Sequence, residues 1–350
     1  MNTTSSLHIV RRYGLVGGME NYVWELTHAL ARAGHRVRVV CEHCYEPADS
    51  AIEVIELGQV SPKPRWLAQL RFSRKISHYI DSEGLNNVVL HSHERTAVHH
   101  VTTFHGPPFL ARRKKILDFL SPRIHVWTYL EMRELTGKRV KVVLPNSDLI
   151  GGQLKRFYPQ AAHKIEAPAL PGVAPLFSTI KSESTGKTIG FLGREWKRKG
   201  LDIAVDIVSG LRLQDPEITF HVAGCDPVEI EHLFSDWEGG YQLSGWVKPQ
   251  DFLAQIDLLI HPARAEPFGM VIAEANAAGI PVVISDQCGI ASLITEQQGD
   301  VIPLNNLDCW TKTCQKSLDK KQAVVPLSLS WDDLADQHSA LYCSLIGNRK

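Results

Sequence analysis

Two glutamates eight positions apart, Glu266 and Glu274, bracket the stretch Glu266-Pro267-Phe268-Gly269-Met270-Val271-Ile272-Ala273-Glu274. The first falls in a loop after a strand-like run, the second in the second turn of the helix that follows. Ligands of open parallel sheets bind at the carboxyl ends of strands. Unbonded N–H groups at such a helix start, near Phe268, Gly269 and Met270, suit a phosphate. A carboxylate on each side can accept hydrogen bonds from sugar hydroxyls. A second stretch, Gly193-Arg194-Glu195-Trp196-Lys197-Arg198-Lys199-Gly200, places four cations within six residues at another strand-to-helix junction. There Arg194 can fork onto phosphate oxygens and Lys199 can supply a point charge, together a clamp for a diphosphate. Taken singly, the glutamates also read as surface acids and the cations as a solvated loop.

The elements that must position these residues follow from the apolar pattern. Residues 7–10 read as a strand, 14–18 as a glycine-rich turn, 20–33 as an amphipathic helix and 36–41 as a second strand, a unit that implies a parallel sheet. Strands are predicted again at 87–91, 101–104 and 140–144. The second half repeats the alternation, with strands at 188–192, 218–223, 257–261 and 281–285. Its helices are predicted at 200–213, 228–234, 252–256 and 269–278, and a last helix at 331–345. Pro168, Pro171, Gly172, Pro175 and the polar run 181–187 mark a linker. A chain of 350 residues, 44% apolar and 22% charged, is expected to make about two globular domains. The fold class is α/β, with two doubly wound parallel-sheet domains facing a cleft.

Charge is balanced overall but not locally. Residues 1–170 hold 23 Lys and Arg against 15 Asp and Glu, and residues 171–350 hold 15 against 23. The basic half points to an anionic partner: nucleic acid, a membrane surface or a phosphorylated substrate. Arg71, Arg74 and Lys75 lie among Trp66, Leu67, Leu70 and Phe72, and Arg112-Arg113-Lys114-Lys115 follows a stretch with two phenylalanines. Both fit docking on anionic lipid, as well as ordinary solvated helix faces. No apolar run approaches the ~20 residues that span a bilayer, and seven scattered cysteines describe no disulfide framework. A reduced, cytoplasmic protein is expected, with peripheral contact at the inner face of the membrane.

The two chemical stretches together resemble the retaining glycosyltransferases of the GT-B fold, specifically glycosyltransferase family 4. Gly17-Gly18-Met19-Glu20, Thr103-Phe104-His105-Gly106, Pro145-Asn146-Ser147, Pro171-Gly172-Val173, His261-Pro262 and the run 278–283 extend the resemblance over nearly the whole chain. It implies Rossmann-like domains over 1–170, for the acceptor, and 171–330, for the donor, with 331–350 crossing back to the first. It implies that Arg194 and Lys199 hold the donor diphosphate, that Glu266 binds the donor sugar and that Glu274 binds the ribose. Phe268, Gly269 and Met270 would line the donor, His105 would approach its sugar, and Gly17 and Gly18 would form a mobile loop beside it. No two aspartates stand two positions apart, so the Asp-x-Asp metal holder is missing and metal-independent transfer is expected. No cofactor is expected; the donor would be a nucleotide-sugar, UDP-sugar being favoured.

Within the family, the chain is most similar to bacterial enzymes of lipopolysaccharide-core assembly, which implies a lipid-linked or phosphorylated saccharide acceptor and no nucleic acid. A GT-B epimerase and a catalytically silent glycan-binding scaffold are the alternatives. Five histidines at 91–105 and the pair Cys41 and Cys44 have no convincing ligand spacing, and no metal site is expected.

Overall fold

The computed structural model describes residues 4–85, 87–112, 121–184, 186–319 and 323–347. Two compact units divide the chain: Met1–Gly172 with Ser330–Lys350, and Val173–Leu329.

The first unit holds β1 (Ser5–Ile9), β2 (Arg12–Tyr13), α1 (Gly18–Arg32), β3 (Arg36–Cys41), β4 (His43–Cys44), β5 (Ile52–Glu56), α2 (Arg65–Glu83), β6 (Val89–Ser92), β7 (Val101–Phe104), α3 (Pro122–Thr136), β8 (Val142–Pro145) and α4 (Asp148–Phe157). Its main sheet runs β5-β3-β1-β6-β7-β8 with every pair parallel. The strands are buried on both faces: on one side Leu7, Ile9, Val40 and Leu90 pack with Phe72 and Ile76 of α2, while Ser6, His8 and His91 are buried polar residues of the same strands. The direction of winding reverses between β1 and β6, and the carboxyl ends of those two strands form the switch point where such sheets take ligands.

The second unit holds β9 (Thr188–Leu192), α5 (Trp196–Lys199), α6 (Leu201–Arg212), β10 (Thr219–Ala223), α7 (Pro227–Ile230), β11 (Tyr241–Leu243), α8 (Pro249–Leu253), β12 (Leu258–His261), α9 (Met270–Ala277), β13 (Val282–Ser285), β14 (Gly299–Ile302) and α10 (Leu307–Asp319). Its sheet, β11-β10-β9-β12-β13-β14, is parallel and reverses between β9 and β12. Phe191, Leu201, Val208, Phe220, Ile260 and Trp310 fill one side of it.

The last helix, α11 (Trp331–Gly347), belongs to the first unit and packs on α1. The Trp331 ring meets Tyr22 edge-on at 5.7 Å, and Arg32 pairs with Asp332 at 2.9 Å. Gly172 is glycine for want of space, since a β-carbon there would collide with the Trp331 backbone.

Several expectations change in detail. The helix predicted over 200–213 is α6, capped by Gly200 at φ +78°, and a short helix not predicted from the sequence, α5, precedes it. The helix predicted over 228–234 tightens into a 3₁₀ turn after Ile230. The polar run 181–187 is not a free linker: the Gly186 and Thr188 N–H groups both donate to Asp257, at 3.1 and 2.8 Å. The lipid-facing reading of α2 loses Phe72, which lies wholly in the core because helical spacing turns it inward. Lys75 donates to the Leu57 and Gly58 carbonyls at 2.9 and 3.0 Å, capping a loop rather than reaching outward. Arg113, Lys114 and Lys115 lie outside the described residues. No helix among those described is long and apolar enough to cross a membrane.

Candidate active site

The reversal between β9 and β12 puts the two chemical stretches side by side. After β9 the chain turns through Gly193 into α5, and after β12 it runs from His261 to Glu266 before α9. Glycines allow the close approach. A β-carbon on Gly193 would strike the Lys199 side chain, and one on Gly200 would strike the Pro262 carbonyl. Arg264 fastens the second loop to the first, with its N–H on the Arg198 carbonyl (2.8 Å) and a two-pronged pair to Asp202 (2.7 and 2.8 Å).

Glu266 is the hub. Its Oε2 lies 3.3 Å from Lys199 Nζ, 3.4 Å from Arg198 Nη1 and 3.5 Å from His261 Nε2. Its backbone is clamped by the loop after β13, giving its N–H to Gln287 (3.0 Å) and accepting from Gly289 (2.8 Å). Burial alone would raise the Glu266 carboxyl; the contact with His261 and the charges of Lys199 and Arg198 outweigh it, and the group stays well below the ordinary range. Glu266 is therefore an anion at neutral pH, with one hydrogen bond from Arg198, the ammonium of Lys199 and the His261 imidazole gathered around one oxygen.

Glu274, one helical turn inside α9, has the opposite environment. Burial pushes it up to about 7, and the charge of Lys199 only partly opposes this. Phe268 is buried, and Gly269 caps α9 with φ +111°. In the first turn the Ile272 and Ala273 N–H groups both return to the Gly269 carbonyl, at 2.9 and 3.2 Å.

Arg194 is not in the cluster. It is exposed, and its guanidinium lies over the ring of exposed Trp246, 5.3 Å from the centroid. Arg198, not singled out by the sequence, is the arginine that stands beside Glu266 and Lys199. Neither Arg198 nor His261 is singled out by residue type within its stretch. Their positions at strand ends on either side of the reversal are the signal.

The first unit has its own polar centre at its switch point. His93 follows β6 and His105 follows β7; His93 Nδ1 and His105 Nε2 are 3.1 Å apart. His93 Nε2 continues to His8 Nδ1 at 3.2 Å, and His8 Nε2 ends on Ser6 Oγ at 3.3 Å. His91 bonds Tyr342 (2.6 Å) and Thr103 (2.8 Å), which ties α11 to the sheet. One nitrogen from each of His8, His91 and His93 lies within 4.8 Å of the others, yet all six ring nitrogens already have these hydrogen-bonding neighbours. His8, far off in sequence, is the member that spacing missed. Burial pushes His105 down to about 3, so it is a neutral imidazole.

Gly17, extended at φ −171°, is the residue before α1, and its carbonyl receives the Asn21 N–H at 2.8 Å. A β-carbon on Gly17 would press on Glu20, which Arg12 holds, whereas Gly18 has open space. Cys41 and Cys44 are both free thiols.

Two six-stranded parallel sheets wound alike, one carrying a cationic cluster at its switch point, are the architecture of the GT-B fold. The comparisons agree with the geometry. Residues 16–167 match the family model described as Glycosyltransferase Family 4, and residues 186–320 match that of Glycosyl transferases group 1. Lipopolysaccharide glucosyltransferase WaaG of Escherichia coli K12 is 22% identical over 94% of this chain and 92% of its own. A crystal structure of WaaG superposes with a TM-score of 0.75 at 19% identity, covering 96% of this chain and 95% of that one. Phosphatidyl-myo-inositol mannosyltransferase of Mycolicibacterium smegmatis is 25% identical over 85% of this chain and 80% of its own. Anabaena Alr3699/HepE, solved with UDP-glucose, has a TM-score of 0.64 at 15% identity, over 99% of this chain and 98% of that one. The chain is a glycosyltransferase, with a family 4 domain in its first unit and a group 1 domain in its second.

Proposed function

We propose that this enzyme moves a sugar, with retention and without a metal, from a UDP-sugar to a lipid-linked or phosphorylated saccharide of lipopolysaccharide-core type. Such an acceptor places the work at the inner face of the cytoplasmic membrane. The observation that carries the reading is the convergence of Lys199, Arg198 and His261 on Glu266, with Glu274 one turn into the adjoining helix. The full-length likeness to a lipopolysaccharide glucosyltransferase supports the acceptor class.

In the reaction the bond from the anomeric carbon to the diphosphate oxygen breaks, and a bond to the acceptor oxygen forms on the same face. Negative charge grows on the departing diphosphate, where Lys199 and Arg198 are already placed and need no reorganisation. Glu266 accepts from sugar hydroxyls, Glu274 from the ribose, and the amides at Gly269 and Met270 face the phosphates. Arg194, on the Trp246 ring, guards the diphosphate from the β10–β11 side. The acceptor proton leaves toward the diphosphate oxygen. No protein nucleophile is invoked.

Thermal unfolding against nucleoside diphosphates and their sugars, with chelator present, tests the donor. A ligand at a hundredfold excess over Kd adds about 2.7 kcal/mol of stability. A shift specific to uridine nucleotides is expected. No shift with any nucleotide would leave the silent scaffold as the better reading.

Glu274 adds a pH signature. Its carboxyl, at about 7, must be ionised to accept two ribose hydrogen bonds. Affinity for a UDP-sugar should therefore rise about tenfold from pH 6 to pH 8. The donor's diester phosphates do not titrate there, so Glu274→Gln should flatten the profile. An unchanged slope in Glu274→Gln separates Glu274 from the ribose.

A further inference from the structure

A cavity of about 630 Å³ opens in the first unit, remote in sequence from every residue of the donor cluster. It falls in the size range of small-molecule sites, roughly 300–1,000 Å³. Arg65 and Trp66 reach it from the start of α2, Arg123 and Trp127 from the start of α3, and Arg95 and Phe109 from the loops after β6 and β7. The wall is braced from behind. Buried Glu131 accepts from Arg95 Nη2 (2.7 Å), the Phe109 N–H (2.7 Å) and the Tyr158 hydroxyl (2.6 Å). The Arg95 guanidinium lies 5.2 Å from the Trp127 ring centroid, and Phe109 stacks on Trp127 at 6.0 Å. Arg95 is thus neutralised and structural.

Arg65 and Arg123 differ. Both are exposed, and neither has a carboxylate partner among the described residues. The cavity therefore offers two uncompensated guanidinium forks beside flat indole faces. Guanidinium matches phosphate geometry in two-pronged fashion. Indole faces suit the C–H faces of a sugar ring, being broad and apolar, with a polar edge for hydroxyls. A purely apolar ligand would leave both arginines unanswered, and a bare phosphate would leave the indoles unused.

We propose that this cavity binds a phosphorylated saccharide, the phosphate on Arg65 and Arg123 and the sugar on Trp66 and Trp127. The inference deepens the proposed function, on which it rests, by giving the acceptor a phosphate-reading subsite.

The probes are D-glucose 6-phosphate, D-glucose, inorganic phosphate and vesicles of phosphatidylcholine with phosphatidylglycerol, titrated calorimetrically against the full chain. D-glucose 6-phosphate should bind more tightly than either half alone. Arg65→Gln and Arg123→Gln should each weaken it by about tenfold, the size of a lost charge-assisted hydrogen bond. Trp127→Ala should weaken it similarly, while Lys199→Ala should leave it unchanged. The arginine variants should also keep their thermal shift with uridine nucleotides. That readout confirms they are folded and separates failure here from failure of the donor assignment. Binding untouched by the arginine substitutions overturns the proposal, as does inorganic phosphate matching the sugar phosphate. Arginine-dependent vesicle binding that D-glucose 6-phosphate does not compete would mean a lipid headgroup surface instead.

Discussion

Lys199→Ala lowers turnover by about 10²–10³-fold while leaving the protein folded. The size follows from what the ammonium does. It lies 3.3 Å from Glu266 and is largely enclosed, with its side chain 17% exposed. A fixed cation in a partly dehydrated site stabilises charge that develops only as the diphosphate departs, and removing one such group typically costs two to three orders of magnitude. Fold stability should fall modestly without unfolding the protein, because Arg198 still hydrogen-bonds the buried Glu266 carboxylate, at 3.4 Å. Lys199→Arg should recover only part of the loss, since Gly193 leaves room for a slim stem and not for a planar fork. Initial rates with saturating donor, alongside a melting curve, check both statements. Near-wild-type turnover in Lys199→Ala would remove the cation from the mechanism.

Glu266→Gln strikes both function and stability. The substitution leaves Lys199, Arg198 and His261 gathered around a neutral amide. Turnover should fall at least a hundredfold, because donor orientation and cation placement fail together. Stability should fall as well. Losing one member of a buried charge cluster costs about 3–5 kcal/mol when enclosure is complete. Here Arg198 is 32% exposed, so about 1–3 kcal/mol is expected once solvent screening is allowed for. The pH dependence gives the sign. The Glu266 carboxyl is held below its ordinary value of 4.5, so the unfolded chain takes up a proton there before the folded one does. Its contribution is complete above that pH and disappears as pH falls through the depressed folded value. The gap in melting temperature between wild type and Glu266→Gln should accordingly be full at pH 7 and shrink below pH 4.5. A gap independent of pH would mean that the amide disturbs packing rather than charge. Glu266→Asp, which keeps the charge but shortens the reach, should retain most of the stability and still lose turnover.

Much of the fold was legible because parallel sheets covered on both faces write continuous apolar runs into the chain. The strands at Val101–Phe104 and Thr188–Leu192 fall where the runs predict them, and the strand, glycine turn and helix unit opening the chain is equally plain. The short helix α5 was not legible: four residues carry no period, and its end at Gly200 shows only in the close approach of that glycine to the Pro262 carbonyl. Phe72 shows the same limit: an aromatic amid cations fits a membrane face or a core face until the helix is placed on its sheet.

The sequence by itself determined the chemical inventory. Residue types and spacing in 193–200 and 266–274 called for a phosphate and a sugar, and strand-to-helix junctions put both stretches at ligand-binding edges. Which cation meets which carboxylate was decided only by the tertiary structure. Arg198, not Arg194, stands beside Glu266 because the reversal between β9 and β12 sets two loops against each other, and His8 joins His93 across two adjacent strands for the same reason. Electrostatics divided the two glutamates in the same way: the contact with His261 and the charges of Lys199 and Arg198 hold Glu266 ionised, while burial lifts Glu274 to about 7 against the charge of Lys199. A one-dimensional pattern records which groups are present; the field at each group depends on neighbours that only folding brings within a few ångströms.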